Sequence, residues 1–402
     1  MEGSTVHRRS VVNRRFCLMT LLSTLALAAP VVAGADETFG KAISGLTKDE
    51  QARFAAGREV FSESETVADG VGPVFNDDSC VACHDSPAVG GGSTRVETRF
   101  GRRTRAGFDA LASLGGSLIQ EQGIGAQGSC DFVAEAVPDT ANVRAGRRTT
   151  SILGLGLVDA LADRTLLELA ARQRARTPAT AGRARFVADA VSGGQRIGRF
   201  GWKAQVPSLL HFSGDAYLNE MGITTPFFPN ENCPQGDCSL LRCDPVADPE
   251  DDGADVFLFA DFMSFLAPPS RADAAARRAE RDGGRVFARI GCADCHVPTL
   301  KTGFHEVAAL REREFSPYSD FLLHDMGTLG DGIAQDGANG REMRTAPLWG
   351  LRTLTIFLHD GRASTIEAAV LAHDGQGAVA RDRFRALGSD DRRALLRFLR
   401  SL

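Results

Sequence analysis

Two short stretches of this chain carry residues fit for chemistry. Cys80-Val81-Ala82-Cys83-His84 and Cys292-Ala293-Asp294-Cys295-His296 repeat the order C-x-x-C-H, using four of nine cysteines and two of eight histidines. In that order two thiols can add to the vinyl groups of a haem while the adjacent imidazole takes the iron from one side, the c-type attachment signature. Random placement of these residue types would give the pattern on the order of 0.004 times in such a chain, so two copies are not coincidence. A zinc or dithiol reading of each C-x-x-C explains neither the histidine that follows both copies nor the matching residues that precede them.

Those preceding residues are Gly57-Arg58-Glu59-Val60-Phe61 and Gly284-Arg285-Val286-Phe287, each ending a helical pattern, DEQARFAAGREVF and DAAARRAERDGGRVF. A glycine in such a helix lets a second backbone approach closely. Two more helical patterns close the halves: ADVFLFADFMSFLAPP at 254–269 and SDDRRALLRFLRSL at 389–402, with Ser389 as N-cap. The expected fold is mainly α, with two cytochrome c-like haem domains. The first covers residues 36–269 and the second 270–402, joined near Pro268-Pro269-Ser270. The first domain carries a long irregular insertion at 85–253, ending in the acidic loop ADPEDDGAD. That loop reads as solvated surface; a calcium site there is the alternative, although its spacing matches no EF-hand loop.

Residues 1–35 have the layout of a secretory signal peptide: two arginine pairs in HRRSVVNRRF, the apolar run FCLMTLLSTLALAAP, and Ala33-Gly34-Ala35 at the expected cleavage point. The apolar run falls short of the about 20 residues a span needs. Without these residues, which hold four Arg and one Glu, the net charge moves from −5 to −8. That balance recommends neither nucleic acid nor an acidic membrane surface as partner. Residues 36–402 hold no apolar run of membrane length, so a soluble periplasmic product is expected. Cys130, Cys233, Cys238 and Cys243 then form an even remainder, which points to two disulfides in one of three pairings; a metal site built from all four is the rival, although none shows the close C-x-x-C pairing zinc prefers.

A haem that only relays electrons takes two protein ligands, whereas one that does chemistry keeps or opens a position. Beyond the two motifs the exported part holds His211, His305, His324, His359 and His373, four of them in the second half. The first motif therefore has few candidates for a second ligand, and the second has several.

Longer stretches carry a family resemblance: FNDDSCVACHDSPAVGGG, RTTSILGLGLVDAL, GRFGWKAQVPSLLHFSGDAYLNEMGITTPFFP, SDFLLHDMGTLGDG and RTAPLWGLRTLTIFLHDGRASTIEAAVLAHDG. They resemble the di-haem c-type oxidoreductases described as thiol oxidoreductases or peroxidases. That group is related to the bacterial di-haem cytochrome c peroxidases and, more remotely, to the haem rubber oxygenases. The resemblance covers nearly all of residues 36–402. It implies two covalently bound haem c groups, on Cys80, Cys83 and His84 and on Cys292, Cys295 and His296.

Laid without gaps on the peroxidase pattern, the methionine that ligates their C-terminal iron falls on His373. The resemblance thus implies a bis-histidine centre at His296 and His373, of lower potential than a His/Met one; His324 is the alternative ligand. The distal histidine of the peroxidases' first haem has no counterpart in DSPAVGGGSTRVETRFGRR. The first iron is therefore expected to be open on its far side, or closed by Met221 or His211.

Trp202 is the implied bridge between the haems. Glu121 in SLIQEQG is the carboxylate expected to move protons, and Lys203 or Arg199 would supply charge or hold a propionate. His359 is expected to hydrogen-bond near a haem or the domain interface, and His305 to lie at the surface. The segment that holds calcium between the peroxidase domains reads Leu354-Thr355-Ile356 here, so no calcium is expected there. The expected function is electron transfer through the C-terminal haem to an N-terminal haem that reduces peroxide or a similar small oxidant. A small c-type cytochrome or cupredoxin would be the donor. A haem dioxygenase of the rubber-oxygenase type and a pure di-haem electron carrier are the other readings.

Overall fold

Thr47 caps the first helix of the computed structural model, which describes residues 39–270 and 274–402. Its hydroxyl accepts from the Glu50 N–H at 3.2 Å while Glu50 Oε2 accepts from the Thr47 N–H at 2.7 Å, a reciprocal capping box. The helix so started is α1 (Lys48–Ser62). Among the described residues eight more α-helices follow: α2 (Leu155–Asp159), α3 (Asp163–Arg176), α4 (Leu209–Ala216), α5 (Ala254–Phe265), α6 (Ala274–Arg289), α7 (Ile366–Leu371), α8 (Ala378–Arg385) and α9 (Ser389–Leu399).

Phe54, Gly57 and Phe61 lie three and four residues apart, hence on one face of α1, and all three are buried. That face meets α5, where Phe262 sits between Phe54 and Phe61 with ring centroids 5.3 and 4.9 Å away. A Cβ on Gly57 would lie 2.2 Å from the Leu258 carbonyl oxygen, so glycine alone permits this crossing. The second half repeats the device. There α6 crosses α9, a Cβ on Gly283 would lie 2.3 Å from Ala394 O, and Phe287 packs on Phe398 at 5.4 Å. Counted back from its phenylalanine, Gly283, not Gly284, stands where Gly57 does. Helix α9 takes Ser389 as its first residue and Gly388 as cap, without a side-chain bond.

The expectation of a mainly α fold is wrong. The chain is 36% helical and 16% strand, and the insertion read as irregular supplies much of that strand. At its centre Val96–Thr104 pairs antiparallel with Gly107–Asp109 on one side and Val143–Arg148 on the other. Gly125–Gln127 with Cys130–Phe132, and Phe186–Ala188 with Gln195–Ile197, form further antiparallel pairs. The strand signal is hidden because the alternation in VETRFGRRT is not apolar against polar. Phe100 faces a small core with Leu111 and Ile119, while Glu97 and Arg99 point the other way, into an interior that is itself charged.

The described residues belong to one unit with two main hydrophobic cores. The second gathers Val286, Phe287, Ile290, Phe384, Leu395 and Phe398. The first is built on α1 and α5 but also takes in Leu300, Ala309, Leu310, Phe315, Phe321 and Leu322, from beyond the junction near Pro269. Within the insertion the sulfurs of Cys130 and Cys243 lie 2.12 Å apart, and those of Cys233 and Cys238 1.93 Å. The signal-peptide expectation falls outside the described residues. Among those described, no helix is long and apolar enough to cross a membrane.

Candidate functional site

Each C-x-x-C-H begins as a single 3-10 turn, Cys80–Ala82 or Cys292–Asp294, closed by a bond from the histidine N–H to the first cysteine's carbonyl, at 3.0 Å in the first and 2.9 Å in the second. The repeat phenylalanine packs beside each ring, Phe61 at 6.1 Å from His84 and Phe287 at 6.4 Å from His296. His84 Nδ1 lies 2.9 Å from Gly91 O; with that nitrogen donating, Nε2 keeps its lone pair for a metal. In front of it is a cavity of about 400 Å³ that both thiols also line.

The sheet and a π-helical turn furnish the rest of this cavity. Strand periodicity puts Glu97 and Arg99 on one face, and the register sets Glu97 opposite Arg147. Arg99 Nε donates to Glu97 Oε1 at 2.9 Å. After α4 the turn Tyr217–Met221 widens to π geometry and brings Tyr217, Glu220 and Met221 to the same wall. Glu220 shares a hydrogen bond with Glu97 and accepts from Asn76 Nδ2 at 2.8 Å. Burial and the neighbouring Glu97 push the Glu220 carboxyl up to about 8. For Glu97 burial is outweighed by Arg99, which holds it below the usual range. The pair therefore retains one proton that solvent alone would have removed.

Glu121 also borders the cavity, but its side chain is exposed, and its contribution is a backbone N–H donated to Asn76 Oδ1 at 3.0 Å. Met221 is on the wall and 3% exposed. His211 is not among the lining residues: its Nδ1 accepts from the Ala190 N–H at 3.1 Å and faces Asp189. Lys203 and Arg199 are wholly buried elsewhere, Lys203 on Asp331 at 2.7 Å and Arg199 on Asp163 and the Leu161 carbonyl. Sequence reasoning missed Glu97, Arg99 and Glu220. The first two show only as an i, i+2 pair, and Glu220 carries no local signal.

The second cavity, of about 240 Å³, is lined by Cys292, Cys295, His296, His324, His359 and His373 among others. His296 Nδ1 lies 2.9 Å from Tyr318 O and His373 Nδ1 2.8 Å from Ala369 O, on the turn that ends α7. Their ring centroids are 6.4 Å apart. Two metal–nitrogen bonds of about 2 Å each, plus two half-rings, span roughly 6 Å, so one iron fits between these imidazoles. His324 has both nitrogens engaged, Nε2 at 3.0 Å from Asp320 Oδ2 and Nδ1 at 3.6 Å from Cys295 Sγ. His359 stands 6.1 Å from Trp202. His305 lies outside both cavities and accepts from the Val307 N–H.

Trp202 and Arg148 line both cavities, the indole N–H donating to Arg148 O at 3.0 Å. Arg148 is buried with no partner at Nε, and burial brings it down to about 10. Arg344, on the second cavity, donates to the carbonyls of Gly201 and Thr345 and is likewise brought down to about 10 by burial. Buried cations bonded only to carbonyls await anions, and haem carries two carboxylates at one edge. Burial also pushes the Cys80 and Cys292 thiols up to about 12. They are thus neutral and unpaired with one another, poor nucleophiles for dithiol exchange. On these observations the residues of both cavities fit haem.

A model of the family described as "Di-haem oxidoreductase, putative peroxidase" matches residues 128–402. No curated protein matches the chain. Among solved structures, hydrazine synthase of Kuenenia stuttgartiensis, pressurised with xenon, is similar at 13% identity and a TM-score of 0.41, covering 97% of this chain and 100% of that one. A MauG-like protein associated with microbial copper homeostasis is similar at 14% identity and a TM-score of 0.39, covering 89% and 90%.

Proposed function

This chain belongs to the di-haem oxidoreductase and peroxidase family, and we propose that it is an exported enzyme that reduces peroxide, or a similar small oxidant, at the centre on His84. Cys80, Cys83 and His84 would hold one haem c, and Cys292, Cys295, His296 and His373 the other. When bound, the haems supply the iron and the electron relay. The observation that carries the reading is an asymmetry. His296 faces a second imidazole, whereas His84 is the only histidine among the lining residues of its cavity and looks onto carboxyls and a guanidinium.

Reduction of hydrogen peroxide to two waters consumes two electrons and two protons. Glu220 keeps a proton at neutral pH and can give it to the departing oxygen; solvent returns that proton to Glu220 and supplies the second, while Glu97 stays ionised beside it. Arg99 holds Glu97 ionised and offers positive charge to the oxygen as it leaves. Asn76 orients Glu220, and the Glu121 N–H fixes Asn76. Trp202, in the wall common to both cavities, is the contact through which electrons from the His296 side would reach the His84 side. Arg148 and Arg344 would meet haem carboxylates. Disulfides Cys130–Cys243 and Cys233–Cys238, and covalent haem, suit a periplasmic location. A small c-type cytochrome or cupredoxin would supply the electrons.

Electron paramagnetic resonance of the oxidised holoprotein tests this division. One high-spin and one low-spin ferric signal are expected, with His373→Ala altering the low-spin signal alone. Peroxide should be turned over with a reduced small cytochrome c faster than by free haem. Two low-spin signals that resist cyanide even after reduction would identify an electron carrier instead.

A further inference from the structure

Away from both cavities, four carboxylates that the proposed reaction does not use converge in the insertion. One oxygen each from Glu231, Asp244, Asp248 and Glu250 lies within 4.8 Å of the others. They arrive from separate segments: Glu231 precedes the Cys233–Cys238 pair, Asp244 follows Cys243, and Asp248 and Glu250 belong to the acidic loop.

Glu231 is only 8% exposed, and neither of its oxygens has a side-chain hydrogen-bond partner, the backbone N–H of Asn232 being the donor near it. Glu250 Oε1 is buried and unpartnered as well. Burial and three negative neighbours, Glu250, Asp244 and Asp248, push Glu231 up to about 10. Thr224 arranges two of the group. Its N–H donates to Glu250 Oε2 at 2.8 Å, and its hydroxyl lies 3.1 Å from Asp248 Oδ1 and also contacts Glu250.

A buried carboxylate with three anions around it and at most one backbone N–H to offset them is costly unless a cation joins it. The donors are all hard oxygens, which excludes a preference for zinc or copper. Opposite ligands of a calcium ion at about 2.4 Å lie about 4.8 Å apart, so four oxygens that all lie within 4.8 Å of one another can share one such ion, and calcium accepts irregular carboxylate shells where magnesium keeps its waters. We propose that Glu231, Asp244, Asp248 and Glu250 form a calcium site that clamps the acidic loop to Thr224, three residues beyond Met221 at the wall of the first cavity. The loop that reads as solvated surface in the sequence is thereby one jaw of a metal site.

The test is calcium content of the holoprotein as isolated and after chelator treatment, followed by calorimetric titration with calcium chloride. One calcium per chain and a calcium-dependent rise in thermal midpoint are expected. Glu231→Gln should weaken binding at least tenfold and abolish the rise. Its midpoint without calcium should match that of the parent protein under the same conditions, since burial already keeps Glu231 uncharged when no cation is bound. Asp248→Asn, at an exposed position, gives a second variant should the first fail to fold, with the same loss of affinity expected. Protein with no calcium as isolated and no stoichiometric uptake would overturn the proposal. So would uptake unchanged in both variants.

Discussion

One proton shared between half-buried Glu97 and Glu220 has a signature in pH. Glu220 is raised to about 8, so its acid form is present below that value and is lost as pH rises through it. Peroxide turnover should therefore hold below about pH 8 and decline above it. Glu220→Gln should lower turnover by about 10²-fold or more and remove that limb, with the haem spectra unchanged. A limb that survives in the variant would move the proton elsewhere. At this scale the sequence spoke unevenly. The C-x-x-C-H motifs are legible because all their atoms come from one turn, and His373 because a familiar pattern runs unbroken to it. Glu220 meets Glu97 only across the fold, from a turn more than a hundred residues away, and no local spacing could announce that.

Helices α1, α5, α6 and α9 were readable from periodicity, and so was the need for glycine at their crossings. The structure moves that need in the second half from Gly284 to Gly283. Gly57→Ala and Gly283→Ala each set a methyl against a backbone oxygen at 2.2 and 2.3 Å, where no side chain can yield. Each should cost about 1–3 kcal/mol and lower the thermal midpoint of the holoprotein. Gly194→Ala, where the added carbon meets only Ser192 Oγ at 3.6 Å, is the neutral control. Equal midpoints in all three would refute the packing argument. The central sheet escaped the sequence for the opposite reason: it is recognised by apolar alternation, and here the face turned inward carries Glu97 and Arg99 because the site needs charge there.

Across the whole molecule the two cavities share a wall at Trp202 and Arg148. Trp202→Phe keeps an aromatic ring but removes the bond to Arg148 O, and should slow peroxide turnover while leaving both haem spectra as they were. Unchanged turnover would make the indole a packing residue only. The two-centre plan was legible because it is written twice. The sharing of residues between the halves was not, because it depends on chain that returns.

Leu300, Leu310, Phe315, Phe321 and Leu322 complete the first core from the far side of the second motif. A chain made N-terminus first has thus delivered Cys80 and Cys83 long before the core around them can close. Under the proposed covalent attachment of haem, the first pair of thiols would stay accessible in a half-built lobe until roughly the last fifth of the chain has begun to arrive. Closure of that core is then also the moment at which the wall between the cavities forms. In maturation of the proposed holoprotein, the late segment would act as a latch on the early site.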